Sequence, residues 1–142
     1  MIIRNSVKAI IIQDNKLLVT KLQDEDGMYY LLPGGGQEVG EKMHDTVIRE
    51  CMEETGFVVE VQELMFIREC FLVPGIHRVE MIFRCHVVGE SQITNMDQNQ
   101  LGFEWIDMDQ IEHEPLFPAE LRTRIKRSHS NIEQPVYLGE IH

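Results

Sequence analysis

The chain has 142 residues, 43% of them hydrophobic, and carries 13 Lys and Arg against 24 Asp and Glu, a formal net charge of −11. That length supports a single domain, residues 1–142, with a real core, and the composition excludes a disordered chain. The acidic balance argues against duplex nucleic acid as a partner, because phosphate contacts need clustered Lys and Arg, but it leaves room for a small phosphate ligand if a metal ion intervenes.

The opening MIIRNSVKAIIIQ is apolar but interrupted by Arg4, Asn5, Ser6 and Lys8. It is too short and too broken for a signal peptide or a membrane span, so no membrane partner is expected. Within it, Val7 to Gln13 reads as a strand. Asp14 to Lys16 is a tight-turn signal and LLVTKL a second strand, together a hairpin. MYYLL is a third strand, ended by Pro33 and three glycines. Met43 to Thr55 contains no Gly or Pro and reads as a helix, with Gly56 as its C-terminal cap. FVVEVQ and LMFIRECFLV read as two strands. Pro74 to His77 is a turn, and Arg78 to Val88 alternates apolar and polar residues like a strand with one wet face. After a polar loop, FEWIDM is a short strand. PAELRTRIKRSHS reads as a helix with Pro118 at its first position, and the tail EQPVYLGEI is indeterminate. Few strands are separated by helices, so the order favours an α+β fold, a mixed or antiparallel-rich sheet with helices packed on it. Three cysteines, Cys51, Cys70 and Cys85, lack CxxC spacing and fit reduced thiols in a cytoplasmic protein.

Glu50, Glu53 and Glu54 are spaced i, i+3, i+4 on the predicted helix and share one face within roughly 100°. Like charges at that spacing repel by a few tenths of a kcal/mol per pair. Taken alone, the cluster reads as a solvated helix face. A cation among the carboxylates would offset the repulsion, and all-oxygen ligands suit Mg²⁺, Ca²⁺ or Mn²⁺ rather than Zn²⁺. The glycines before the helix allow backbone to approach such an ion closely.

The joint spacing carries more than either feature. Gly35, five residues, Glu41, seven residues, then Arg49-Glu50-Cys51-Met52-Glu53-Glu54-Thr55-Gly56-Phe57 resembles the Nudix box, G-x5-E-x7-R-E-U-x-E-E-x-G-U with U apolar. Every fixed position is met, Cys51 being the least typical apolar residue. The resemblance implies a Nudix-type mixed β-sheet sandwiched between α-helices, with the box as a loop-helix-loop. It implies hydrolysis of a nucleoside diphosphate linked to another moiety, by attack of water on phosphorus with Mg²⁺ or Mn²⁺. Carried over by position, Glu50, Glu53 and Glu54 are the metal carboxylates and the carbonyl of Gly34 a further ligand. Arg49 orients a box carboxylate, with Glu41 nearby. The resemblance leaves a homodimer open.

Outside the box, Tyr30 stands where relatives often carry an aromatic residue, to stack a base or to pack. Arg78 and Arg84, six apart on one strand, project to the same face and either meet a phosphate or pair with surplus acids. The extra acidic ligand that many relatives carry before the late Glu104-Trp105 pair is missing; Asp97 is one substitute, and a water-mediated contact from Gln98 or Gln100 is another. Two other classes stay open. One is a nucleotide-sensing module of the same fold without hydrolysis, although such modules typically lose box carboxylates that this chain keeps. The other is an isoprenoid diphosphate isomerase, for whose further cysteine and acidic residues no clear match is seen. A P-loop NTPase is excluded, since no GK[ST] follows the glycines.

Overall fold

The structure, a computed structural model, describes residues 1–91 and 100–142. In chain order the elements are β1 (Ile2–Ile10), β2 (Ile12–Gln13), β3 (Lys16–Asp24), β4 (Gly27–Leu31), β5 (Gly34–Gly36), α1 (Met43–Thr55), β6 (Phe57–Cys70), β7 (Ile76–Glu90), β8 (Gln100–Asp107), a 3-10 helix (Met108–His113), α2 (Glu120–His129) and β9 (Tyr137–Glu140). Among the described residues the strands form two sheets. One has the order β5-β1-β7-β6-β9; β1 and β7 run parallel, as do β6 and β9, while the other pairs are antiparallel. The second is built on β3, with β2 and β4 along one edge and β8 on the other. The mixed sheet and helices match the expected α+β architecture.

Strand alternation divides the core. Val7, Ala9, Met81, Phe83 and Cys85 face α1, where they meet Val47 and Cys51. Ile10, Phe66 and Ile82 face the other way and meet Leu121 and Ile125 of α2 together with Leu17, Val19, Ile106 and Ile111. Burying an apolar side chain of this kind contributes about 1.5–3 kcal/mol. Two on α1 therefore outweigh the few tenths of a kcal/mol of repulsion per acidic pair on its outer side. No described helix is long and apolar enough to cross a membrane.

Several elements depart from the sequence reading for identifiable reasons. The apolar run Val7 to Gln13 is not one hairpin arm. Most of it lies in β1, and only Ile12 and Gln13 pair back on β3. The turn itself is as read, with Asp14 and Asn15 both left-handed at φ 52 and 60, the geometry of a two-residue hairpin. FVVEVQ and LMFIRECFLV form one strand, β6, kept continuous by register shifts around Val61 to Leu64 that restore the inward phase of its apolar residues. Phe71 to Val73 lie beyond its end. The glycines form β5, and the indeterminate tail supplies β9, with Ile141 buried beside it. Pro118 precedes α2 rather than opening it, because Leu121 and Arg122 first donate to the carbonyls of Pro118 and Ala119 in a tighter turn.

Candidate functional site

Two neighbouring elements place the box. β5 lies antiparallel to β1, with Gly34 opposite Lys8 and Gly35 opposite Val7. α1 docks through Val47 and Cys51 and ends at Gly56, whose left-handed φ of 78 lets its N–H reach Met52 O. This turns Glu50, Glu53 and Glu54 toward the glycine strand. Neither of the glycines that matter leaves room for a side chain. A Cβ on Gly34, at φ 142, would stand 2.1 Å from the Val7 carbonyl oxygen, and one on Gly35 would stand 2.5 Å from Glu50 Cδ.

Arg49 organises the carboxylates. Its Nε donates to Glu41 Oε2 at 2.8 Å and its Nη2 to Glu41 Oε1 at 3.1 Å, a bidentate pair. Nη2 also donates to the Gly36 carbonyl at 3.2 Å. Nη1 donates to Glu50 Oε1 at 2.8 Å and lies 3.5 Å from Glu53 Oε2. Glu54 Oε1 accepts the Gly34 N–H at 2.7 Å. The side chain of Glu53 is 34% exposed against 19% for Glu50, so Glu53 is the more open of the two. Among the described residues no three His, Cys, Asp or Glu side chains are drawn to a single point that could hold a metal. The Arg49 guanidinium stands between Glu50 and Glu53 instead. The donor set is nonetheless carboxylate and carbonyl oxygen only, the chemistry a hard divalent ion prefers. The Gly34 carbonyl already faces a cation, the Lys8 ammonium, at 3.4 Å. These residues fit the Mg²⁺ or Mn²⁺ that the box implies.

The proton affinities diverge. Hydrogen bonds from Arg49, and then Thr46, hold Glu41 down at about 2. Burial pushes Glu50 above the usual carboxylate range although Arg49 pulls the other way. The depressed Glu41 contributes stability that is fully present above the ordinary carboxylate value and is lost as pH falls toward about 2. Glu41→Gln is therefore expected to lower the urea midpoint at pH 7, with the difference from wild type shrinking between about pH 4.5 and pH 3. A difference that does not change with pH would show that the Arg49 fork adds nothing through Glu41's charge.

A cleft of about 210 Å³ adjoins the box, lined by the polar Ser6, Lys8, Arg68, Arg78 and Glu80, by the apolar Leu31, Leu32, Phe117, Pro118 and Leu121, and by Gly35. Its floor is a buried polar row across three strands. Ser6 Oγ donates to Glu80 Oε2 at 2.9 Å, Arg68 Nε donates to Glu80 Oε1 at 2.9 Å, and Arg68 Nη1 donates to the Ile141 carbonyl at 3.0 Å. Glu80 is 4% exposed, and the cations around it, Lys8 and Arg68, hold its carboxyl below the usual range against its burial.

Residues 3–127 match the family pattern of the NUDIX domain. The chain belongs to the Nudix family. It is 32% identical over 102 residues to nucleoside diphosphate-linked moiety X motif 6 of Mus musculus, covering 70% of this chain and 33% of the mouse protein. It is 31% identical over 100 residues to the ADP-ribose pyrophosphatase of Methanocaldococcus jannaschii, covering 69% of this chain and 59% of that one. The chain thus spans about a third of the mouse relative's length. Among solved structures, a NUDIX hydrolase from Nitrosomonas europaea superimposes with a TM-score of 0.78 at 23% identity, over 94% of this chain and 93% of that one. A UDP-X diphosphatase gives 0.76 at 24% identity, over 96% and 67%. These two likenesses show the fold.

Within this Nudix domain the residues singled out from sequence separate. Gly34, Glu41, Arg49, Glu50, Glu53 and Glu54 come together, including the expected pairing of Arg49 with Glu41. Arg78 lines the cleft. Arg84 does not join it; its Nε lies 2.9 Å from Glu63 Oε1, and it borders a separate cavity of about 270 Å³ with Met65, His86 and Ile125. The shared strand face was read correctly, but α2 packs between its two ends. Tyr30 is 5% exposed within the core, with its hydroxyl donating to Glu104 Oε2 at 2.6 Å. Of the two roles open to it, this burial supports packing. Trp105 packs against Phe57. Asp97 lies outside the described residues. Sequence reading missed Ser6, Lys8, Arg68 and Glu80. For two of them part of the signal was present: Ser6 and Lys8 alternate with Val7 and Ala9, so they share the opposite strand face with the buried Ile10.

Proposed function

We propose that this chain is a metal-dependent hydrolase of a nucleoside diphosphate linked to another moiety, of the nucleotide, nucleotide-sugar or ADP-ribose class. The observation that carries the reading is Gly35. It touches the Glu50 carboxylate and also lines the cleft. Through Gly35 the acidic cluster adjoins a cleft bearing Lys8, Arg68 and Arg78, in a chain of net charge −11. Such a junction suits a ligand with a negative diphosphate and a larger organic part. The mouse nucleoside diphosphate-linked moiety X protein and the archaeal ADP-ribose pyrophosphatase to which the chain is similar support the same class.

Glu50, Glu53, Glu54 and the Gly34 carbonyl would hold Mg²⁺ or Mn²⁺, which when bound neutralises the diphosphate and makes a water more acidic. The chain's own residues do the rest. Arg49, fixed by Glu41, keeps the Glu50 carboxylate directed at Gly35. Arg78 and Lys8 attract the diphosphate from the cleft side, and the apolar wall of Leu31, Leu32 and Phe117 shields organic surface from water. A box carboxylate takes the proton released by the attacking water. Three buried free thiols support a reducing, cytoplasmic setting.

Incubation with a panel of nucleoside diphosphate derivatives tests this directly. With Mg²⁺ or Mn²⁺, and not with chelator, at least one derivative is expected to yield two phosphorylated products. The same metals should raise Tm at matched ionic strength, because a ligand of the native state stabilises it. A ligand-induced rise in Tm without any product would favour the sensing module, whose case is weakened by the intact carboxylates. No rise with either metal would leave the cluster a solvated face.

A further inference from the structure

Lys8 sits where the box and the cleft meet. Its stem lies along the glycine strand so closely that a Cβ on Gly34 would come within 2.9 Å of Lys8 Cδ. Its Nζ donates to the Gly34 carbonyl at 3.4 Å. The half-buried side chain also borders the cleft, beside Arg68, Arg78 and Glu80. Its charge acts on Glu50 on one side and on Glu80 on the other. Among the described residues, no other lysine lines the cleft.

We propose that Lys8 is a built-in cation that competes with the divalent ion for the Gly34 carbonyl and holds the substrate's diphosphate once that ion is bound. The proposal rests on the metal-hydrolase reading and adds to it a coupling between metal and diphosphate through Lys8. An ammonium and a divalent ion sharing one carbonyl oxygen repel strongly at such short range, so Lys8 lowers the site's affinity for metal alone. A bound diphosphate reverses the sign. Its negative charge lies between the two cations, and the ammonium then favours the complete assembly. Metal and diphosphate therefore bind more cooperatively with Lys8 than without it.

The test is Lys8→Met, which keeps the length of the stem and removes the charge, beside Lys8→Arg, which keeps the charge. Mn²⁺ binding is followed by electron paramagnetic resonance, without and with inorganic pyrophosphate as the anionic probe. Lys8→Met is expected to bind Mn²⁺ alone about tenfold more tightly than wild type. It should bind pyrophosphate in the presence of Mn²⁺ about tenfold more weakly. The differences should diminish as salt is raised, and Lys8→Arg should stay within about threefold of wild type in both measurements. Unchanged or weaker Mn²⁺ binding by Lys8→Met, or unchanged pyrophosphate binding, overturns the proposal. If wild type itself binds no Mn²⁺, the metal-hydrolase reading fails as well. If wild type binds Mn²⁺ normally and Lys8→Met matches it, the Lys8 proposal fails alone.

Discussion

Glu53→Gln should slow turnover of a confirmed substrate at least about a hundredfold, roughly 2.7 kcal/mol of transition-state stabilisation, while leaving the fold intact. Glutamine keeps the shape and hydrogen-bonding capacity of the side chain and removes one charge. The structure sharpens the reason for choosing Glu53. Glu50 is engaged by Arg49 at 2.8 Å and Glu54 by the Gly34 N–H at 2.7 Å, whereas among the described residues Glu53 has a longer, 3.5 Å approach from Arg49. Its loss therefore disturbs the framework least and the charge offered to a metal most. Glu60 is the matched control. It lies on β6 outside the cluster, its side chain is 65% exposed, and His86 Nε2 stands 3.9 Å from its Oε1. Glu60→Gln should change turnover less than about twofold, since exposed pairs contribute little. Equal, small effects of the two substitutions would end the metal-hydrolase reading.

The contrast between Glu53 and Lys8 shows what could be read from the chain alone. The carboxylates are legible because helical periodicity converts their spacing into one face, and because the box motif fixes them relative to Gly35 and Arg49. Lys8 was legible as a polar break in an apolar strand, but its neighbours were not. Only its pairing with Gly34 across β1 and β5, and the parallel pairing of β1 with β7, bring it beside Arg68, Arg78 and Glu80. Those are non-local facts, and strand periodicity gives a side chain's face without naming the neighbour. The same limit explains Arg84. Its face was correct, but the packing of α2 over Ile82 separates it from Arg78. β6 was misread as two strands because a bulge breaks the alternation that a regular strand would show. The tail was unreadable because Tyr137 to Glu140 is only four residues long, too short to show an alternation of its own; β9 is held by an edge of β6 and by the buried Ile141.

Gly34 and Gly35 are adjacent, and the same substitution at each should produce opposite losses. At Gly34 the added methyl meets backbone. A Cβ would lie 2.1 Å from the Val7 carbonyl oxygen and 2.7 Å from Lys8 Cα, at a φ of 142 that L-residues rarely adopt. Neither contact can rotate away, so β5 must part from β1. Gly34→Ala is expected to cost about 3 kcal/mol or more, a fall in Tm on the order of 10 °C. At Gly35 no positive φ is required. The atoms in the way are Glu50 Cδ and its two oxygens, at 2.5, 2.7 and 2.8 Å. That is the far end of a flexible side chain, which yields at little cost in stability. Gly35→Ala should therefore keep Tm within about 3 °C of wild type. It should nevertheless push the Glu50 carboxylate off its place between Arg49 and the cleft, reducing kcat about a hundredfold and weakening Mn²⁺ binding, because a misplaced ligand loses most of its transition-state value. The pair is measured by thermal melts and by turnover of the same substrate. If Gly35→Ala retained full activity, Glu50 would not be acting from the position in which Gly35 holds it. If Gly34→Ala melted like wild type, the close pairing of β5 on β1 would not be what locates the glycine strand.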